Sequence, residues 1–168
     1  MMTAQRLAKM VSKTFLAHAE KPAKPSKAVR KWDGKTPYGI HPVWCAMTLL
    51  AETTLPEKFR VTGALALLFH DVKEGTTAEL PKGLLREVVR LVEGMTFESS
   101  DEEMLKIWSR SRKIKLLKLY DKVSNLLDGS WMSKEKRVRY AKYLLRLCRD
   151  VEPHYGKLNI IRIARAIC

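Results

Sequence analysis

The chain has 168 residues, of which 46% are hydrophobic and 30% charged, and this suits one globular domain that buries roughly two-thirds of its unfolded surface. Its longest apolar runs are too short to cross a bilayer, and its N-terminus lacks the apolar core of a signal peptide, so we expect a cytoplasmic protein with no membrane association. Three widely spaced cysteines, Cys45, Cys148 and Cys168, fit neither a disulfide framework nor a C-x-x-C zinc site.

The formal net charge of +14 is unevenly distributed along the chain. Residues 1–38 carry nine basic residues and two acids, and residues 105–149 carry fourteen basic residues and three acids. Residues 39–104, by contrast, carry six basic residues and eleven acids. An acidic centre that could hold a cation is therefore flanked by basic segments that could hold phosphates, either on a small nucleotide or on a nucleic acid. Solvated helix faces on a basic protein are an alternative explanation for part of this charge.

An amphipathic helix is predicted over residues 2–18, because apolar side chains recur there at helical spacing. His18 continues the apolar stripe and has no acid close by in sequence, which favours a packed histidine over a metal ligand. Residues 20–39 are rich in turn formers and basic residues, so a loop is predicted. A loop of that length inside a compact domain indicates a functional segment.

The next two helices carry the first candidate site residues. One is predicted to begin at His41-Pro42, because proline suits the first helical position, and the other runs from a capping box at residues 54–57 to His70-Asp71. Helical spacing puts Glu74 on the same side as His70 and Asp71. An imidazole and two carboxylates that converge in this way suit a metal site with an adjacent base. The alternative is a histidine that complements the helix dipole beside two solvated acids.

Two shorter helices are predicted in the middle of the chain. Pro81 opens the first and Gly94 ends it, and its predicted core face consists of Leu84, Leu85, Val88, Val89 and Val92. A capping box at Ser100–Glu103 opens the second, which leads to Trp108.

Residues 112–128 are predicted to form a central, largely buried helix, because apolar side chains occupy nearly every direction around it. Asp121 lies within this helix, and a buried carboxylate is costly unless it is paired or bound to a metal. Lys118 and Lys122 could supply the pairing, so both explanations of Asp121 stay open. Asn125 follows Asp121 by four residues and shares its face.

Two last helices are predicted, one that begins after Ser133 and ends before Pro153, and a short one over residues 158–167. The sequence has no sustained period-two alternation, no glycine-rich phosphate loop and no internal repeat. The predicted fold class is therefore all-α, with residues 1–168 as a single helical bundle of about six to eight helices.

His41, His70-Asp71 and Asp121 stand in the order H…HD…D, and this set resembles the HD superfamily of metal-dependent phosphohydrolases, whose domain is all-helical. The local sequence around these residues is most similar to the (p)ppGpp hydrolase branch, which comprises the RelA/SpoT-type hydrolase domain and stand-alone small alarmone hydrolases. The resemblance covers roughly residues 2–150. Its four stretches are Arg30-Lys31, Thr36–Pro42, Leu68–Thr76 and Lys118–Leu126.

The resemblance implies a divalent metal, Mn²⁺ by family habit, with Fe, Co and Zn as alternatives. The implied metal ligands are His41, His70, Asp71 and Asp121. Glu74 would orient or deprotonate the attacking water. The implied contacts to a nucleotide substrate are Arg30, Lys31, Lys122 and Asn125.

The sequence also departs from the family. Gly75 stands where the alarmone hydrolases have a second acid. Residues 94–108 and those beyond about 130 do not match the sequence pattern of the family. We therefore consider three functions: a 3′-pyrophosphohydrolase of ppGpp and pppGpp, a 5′-nucleotidase or deoxynucleotide triphosphohydrolase, and a weakly active HD fold that binds nucleic acid through its basic flanks. The sequence leaves the oligomeric state undefined.

Overall fold

Residues 3–168 are described by a computed structural model, and the helical periodicity of the sequence is borne out along most of that range. The helices are α1 (Ala4–Glu20), α2 (Ile40–Leu50), α3 (Glu57–Phe69), α4 (Val72–Gly75), α5 (Arg86–Met95), α6 (Ser100–Lys106), α7 (Arg112–Leu127), α8 (Lys134–Tyr155) and α9 (Asn159–Ile167). Residues 3–168 contain two isolated β-bridges and no β-strand. The all-α prediction is confirmed, and of the predicted first helix only Met2 lies outside the described residues.

Helix α7 lies at the centre of the bundle, as predicted. It contacts α2, α3, α5, α8 and α9, and 12 of its 16 residues are buried. Ser111 caps it, since its side chain accepts a hydrogen bond from the Ile114 amide. A helix buried on all sides holds its polar side chains in fixed positions, and Asp121 is one of these.

Helices α2, α3 and α7 approach one another closely at Gly63. A Cβ atom at this position would lie 2.7 Å from Leu49 Cδ2 and 3.1 Å from Leu117 Cδ2. The absence of a side chain therefore lets α3 pack tightly on its two neighbours, which carry His41 and Asp121.

Two predicted helix starts are wrong. The capping box at residues 54–57 does not form, because Pro56 precedes α3 without a capping side chain and the Thr54 hydroxyl donates to Glu52 instead. The helix predicted from Pro81 begins only at Arg86. Gly83, with φ of +82°, breaks the helical path before that point, and Leu85 is 54% exposed rather than part of the core.

Two further boundaries differ from prediction. Ser99, not Ser100, caps α6 by accepting from the Glu102 amide, so the helix cap lies one residue earlier than predicted. Helix α8 continues through Pro153 to Tyr155. It ends at Gly156, whose φ of +78° supplies the left-handed residue that stops a helix.

The segment between α1 and α2 is an ordered loop. It contains one 3₁₀ turn, Pro25–Lys27, and two isolated bridges, Pro22 with Thr76 and Val29 with Pro37. The Asp33 carboxylate accepts from the Lys35 and Thr36 amides and closes the turn between the second pair. In the described part of the chain, none of the helices combines the length and the apolar character needed to cross a membrane.

Candidate metal centre

His70 lies at the C-terminal end of α3, where the apolar run buries it to 1% exposure. Its Nδ1 lies 2.7 Å from the Leu67 carbonyl oxygen. A carbonyl only accepts, so Nδ1 carries a proton, and this tautomer leaves Nε2 as the nitrogen that can bind a metal. That nitrogen has no hydrogen-bond partner in the structure, and it lies 3.2 Å from Asp71 Oδ1 and 3.5 Å from Asp121 Oδ1.

His41 is the second residue of α2 and is fully buried. Its Nδ1 lies 2.8 Å from the Ser124 hydroxyl, which can accept the ring proton in the same way. Its Nε2 also has no hydrogen-bond partner among residues 3–168, and it lies 3.4 Å from Asp71 Oδ2 and 3.3 Å from Asp121 Oδ1. The two imidazoles therefore aim their Nε2 atoms at the same pair of carboxylates.

These separations fit a shared cation better than direct hydrogen bonds. Charge-assisted N–H···O bonds measure about 2.7–2.9 Å, whereas two ligands that each lie about 2.0–2.2 Å from one ion stand roughly 3.0–3.5 Å apart. The ligand atoms of His41, His70 and Asp121 all lie within 4.8 Å of one another. Two imidazoles and carboxylate oxygen suit a divalent transition metal, so these residues fit such an ion.

The electrostatics favour positive charge at this point. Burial opposes the charged form of His41, yet the influence of Cys45 and the carboxylates of Asp121 and Asp71 raises the pKa of its imidazole well above 6.5. Surroundings that stabilise an imidazolium also stabilise a cation between the rings and the carboxylates.

Asp71 follows His70 directly, and each of its oxygens faces one imidazole. Tyr38 Oη donates to Asp71 Oδ2 at 2.6 Å. Burial opposes the ionised form, but the adjacent imidazoles, His70 first and then His41, hold the pKa of Asp71 well below its usual 3.8. Asp71 is thus an anion, fixed by Tyr38 from the loop between α1 and α2.

Asp121 has two differently employed oxygens. Oδ1 faces both imidazoles and accepts from Asn125 Nδ2 at 2.6 Å. Oδ2 lies 3.1 Å from Lys118 Nζ and 3.2 Å from Lys122 Nζ. Both explanations left open by the sequence therefore apply at once, since lysines pair with one oxygen and the other is available to a metal. Against the cost of burial, the charges of Lys122 and Lys118 hold the pKa of Asp121 well below 3.8.

Glu74 does not continue the helix of His70, contrary to the spacing argument, because α3 ends at Phe69 and α4 begins at Val72. Its side chain lines the same cavity as Asp71 and Asp121 and remains exposed there. Oε1 accepts from the Phe97 amide at 3.0 Å. Partial desolvation and the charge of Asp71 raise the pKa of Glu74 above 4.5, which moves it towards the range of a useful general base.

A cavity of about 200 Å³ opens beside these residues. All four residues predicted to contact a substrate line it: Arg30, Lys31, Lys122 and Asn125. Only Lys31 is exposed. Arg30 is 5% exposed and donates to Asp128 Oδ2 at 2.9 Å and to Asn125 Oδ1 at 3.1 Å.

Sequence reasoning missed several residues of this site. Tyr38 and Ser124 orient a carboxylate and an imidazole, and both lie inside the stretches that resemble the HD family, three residues before His41 and three after Asp121. Trp131 lines the cavity with its ring 4.5 Å from Lys31 Nζ and 4.7 Å from Lys136 Nζ. No sequence signal marked Trp131, because it lies outside the four stretches that carry the resemblance.

His18 is buried, as the sequence predicted, but it lies close to the centre. Its ring stands 4.7 Å from that of Tyr38, and neither ring nitrogen has a hydrogen-bond partner in the described part of the chain. Burial lowers the pKa of His18 to about 4. A Cβ atom at Gly75 would lie 3.5 Å from His18 Cε1 and 3.8 Å from Nδ1, so the position of the missing second acid adjoins this ring.

No protein-family model and no curated protein sequence matches the chain. Among solved structures, the chain is similar to a metazoan ortholog of SpoT, a protein that hydrolyses ppGpp and plays a role in starvation responses. The TM-score is 0.75 at 22% sequence identity, and the match covers 99% of this chain and 96% of the other. At this identity the likeness establishes a shared fold, which is the helical bundle that the sequence predicted.

Proposed function

We propose that this chain is a divalent-metal-dependent nucleotide phosphohydrolase, and that its substrate is ppGpp or pppGpp, from which it removes pyrophosphate at the 3′ position. We also propose that residues 1–168 act as a single domain. One observation carries the proposal: two buried imidazoles present unpartnered Nε2 atoms to the same two carboxylates, at separations suited to one cation.

The proposed metal ligands are His41, His70, Asp71 and Asp121, and Mn²⁺ is the proposed ion. When bound, such an ion would lower the pKa of a water ligand and neutralise charge on the reacting phosphate. The hydrogen bonds from Nδ1 of His70 to a carbonyl and from Tyr38 to Asp71 would orient the ligands in advance.

Glu74 is the proposed general base. It lines the cavity beside Asp71, and its Oε2 is free of the Phe97 amide that holds Oε1. In the proposed reaction the water oxygen bonds to the phosphorus carried on the 3′ oxygen, and Glu74 takes the water proton. The bond between that phosphorus and the 3′ oxygen breaks, pyrophosphate leaves, and the 3′ oxygen gains a proton.

The cavity also suits the rest of such a substrate. Five cationic side chains line it, and they could hold phosphates: Lys27, Arg30, Lys31, Lys122 and Lys136. Trp131 offers a ring face on which a base could stack. The metazoan ortholog of SpoT, which shares this fold and hydrolyses ppGpp, supports the choice of substrate.

A nucleotide panel tests the proposal. The purified chain is incubated with Mn²⁺ and ppGpp, pppGpp, dNTPs or dNMPs, and the products are identified. The proposal expects GDP or GTP together with pyrophosphate, and inorganic phosphate as a minor product. Turnover of dNMPs or dNTPs alone would assign the chain to the other HD chemistries, which the glycine at position 75 leaves in contention.

Two variants tie the activity to the metal centre. His70→Ala removes one Nε2 ligand and should abolish turnover and weaken Mn²⁺ binding, whereas His154→Ala alters an exposed histidine near the end of α8 and should change neither. Equal activity in the two variants would contradict the proposal. Affinity for nucleic acid that persists in a His70→Ala, Asp71→Ala variant, without turnover of any nucleotide, would favour the binding function instead.

A further inference from the structure

A group of four buried ionic side chains adjoins the metal centre. Glu103 Oε2 lies 2.9 Å from Lys118 Nζ and 2.9 Å from Lys122 Nζ, and both lysines also contact Asp121 Oδ2. Each of these side chains is at most 9% exposed. We call Glu103, Lys118, Asp121 and Lys122 the buried ion cluster.

The buried ion cluster contains two positive and two negative groups. Burial disfavours the charged lysines, yet the carboxylates of Asp121 and Glu103 raise the pKa of both above 10.5, so both remain ammonium groups. Glu103 is itself anchored, because Tyr143 Oη donates to its Oε1 at 3.0 Å. The charges within the cluster cancel, which is the condition for burying ions at moderate cost.

A metal ligand held by two lysines presents an electrostatic difficulty. Each ammonium competes for the charge of Asp121 and repels a divalent ion on the other side of the same carboxylate. Glu103 reduces both the competition for the Asp121 charge and the repulsion of the ion. It offsets the second positive charge, and it draws the two lysines to one side of the carboxylate. Oδ1 of Asp121 is then left to face His41 and His70.

We infer that Glu103 is a positioning residue of the metal centre, which balances Lys118 and Lys122 so that Asp121 can give one oxygen to a divalent cation. The inference rests on the proposed metal site, but it concerns a residue on α6 that neither binds the ion nor matches the family wording. It makes metal affinity depend on the net charge of the buried ion cluster.

Isosteric variants of the full chain test this dependence by calorimetric titration with Mn²⁺. Glu103→Gln leaves the cluster with one excess positive charge and should weaken binding about tenfold. Lys118→Met leaves one excess negative charge and should tighten binding about threefold or more. The double variant Glu103→Gln, Lys118→Met is neutral again and should return to within about threefold of wild type.

Controls separate this role from a merely structural one. Tyr143→Phe removes the hydrogen bond to Glu103 without changing charge and should alter the Kd for Mn²⁺ by less than about twofold. Thermal melts in EDTA report the metal-free stability of each variant. A purely structural Glu103 would lower the melting temperature while leaving the Kd unchanged, and it would give no tightening in Lys118→Met.

The order of affinities decides the inference. Binding that is weakest in Glu103→Gln, intermediate in wild type and in the double variant, and tightest in Lys118→Met supports it. If Glu103→Gln alone does not fold, the double variant compared with Lys118→Met still measures the effect of Glu103→Gln on the Kd, and weaker binding in the double variant supports the inference, whereas equal binding overturns it. A wild type that binds Mn²⁺ with no such order among the variants overturns this inference alone, whereas a wild type that binds no metal overturns the proposed function as well.

Discussion

The Glu74 carboxylate illustrates how one residue can be both held and available. Its Oε1 accepts from the Phe97 amide, while the side chain stays exposed in the cavity. Glu74→Gln keeps the shape but removes the proposed base, so we expect kcat for the nucleotide substrate to fall by about 10²–10⁴. Steady-state kinetics with Mn²⁺ measure the loss.

The matched control for this change is Glu79→Gln, an exposed acid five residues further along the chain, which should leave kcat within about twofold of wild type. Glu74 does not belong to the proposed ligand set, so Mn²⁺ affinity should survive in Glu74→Gln. Loss of metal binding together with activity would make Glu74 a ligand rather than a base.

His18 gives the folded protein a specific sensitivity to acid. Its imidazole has a pKa of about 4 when folded and near 6.5 when unfolded, so the unfolded chain binds more protons between these values. Stability present above pH 6.5 should therefore fall as the pH drops towards 4, by up to about 3 kcal/mol. Urea unfolding in EDTA at several pH values measures this.

His18→Phe should flatten that dependence, because phenylalanine keeps an aromatic ring beside Tyr38 and cannot be protonated. The difference between variant and wild type isolates His18 from His41, whose raised pKa acts in the opposite direction. Parallel stability curves for the two proteins between pH 4 and 6.5 would show that His18 is not the group responsible.

Gly75→Asp tests the same imidazole through a second variant, because position 75 lies next to the His18 ring. A Cβ there makes only ordinary contacts with His18, so the side chain has room to start. An aspartate beside the unpartnered ring should favour its charged form and raise the pKa of His18 from about 4. NMR titration of the imidazole resonances checks this, and a pKa unchanged or lowered would mean that the carboxylate points elsewhere.

At the scale of elements, the loop between α1 and α2 is attached to the end of α7. Arg30 reaches across to Asp128 with its Nε at 2.9 Å and a terminal nitrogen at 2.8 Å. Asp128→Ala should release this loop and the cations that it carries, so we expect KM for the nucleotide to rise about tenfold with a smaller change in kcat. Steady-state kinetics separate the two parameters, and an equal fall in kcat at constant KM would contradict a docking role.

The long helices could be predicted from periodicity, but their ends could not. Helix α7 lies where the apolar pattern placed it, whereas α5 starts five residues after Pro81, because Gly83 adopts a positive φ that no pattern reveals. Helix α8 runs through Pro153, since a proline in the last turn removes only one hydrogen bond. Local preferences decide such boundaries only where tertiary contacts do not override them.

The candidate site was predictable to the extent that it is local in sequence. The H…HD…D pattern marked the residues whose side chains converge, because each lies in a short recognisable stretch. Glu103 was missed for the opposite reason, because its partners are 15 and 19 residues away on another helix. Such a contact depends on how α6 packs on α7.

The whole molecule combines an acidic middle segment with strongly basic flanks. Of the convergent carboxylates, Asp71 lies at the junction of α3 with α4 and Asp121 lies in α7. The exposed face of α8 carries cations from Lys134 to Arg149. A net charge of +14 produces a field that attracts polyanions from a distance. The cavity beside the carboxylates, of about 200 Å³, then selects among the anions that arrive.

Because the net charge acts on the approach of the substrate and the cavity acts after it has bound, salt should affect the two kinetic parameters differently. The distant cations act on encounter, so kcat/KM for the proposed nucleotide substrate should fall about tenfold between ~50 and ~500 mM NaCl, as the screening length shrinks, while kcat changes less than about twofold. Arg137→Glu with Lys142→Glu, two exposed positions on α8, should lower kcat/KM at low salt and flatten its salt dependence without altering kcat. If these changes leave the nucleotide kinetics untouched but abolish binding of a DNA or RNA duplex, the basic face serves a nucleic acid rather than the substrate of the metal centre.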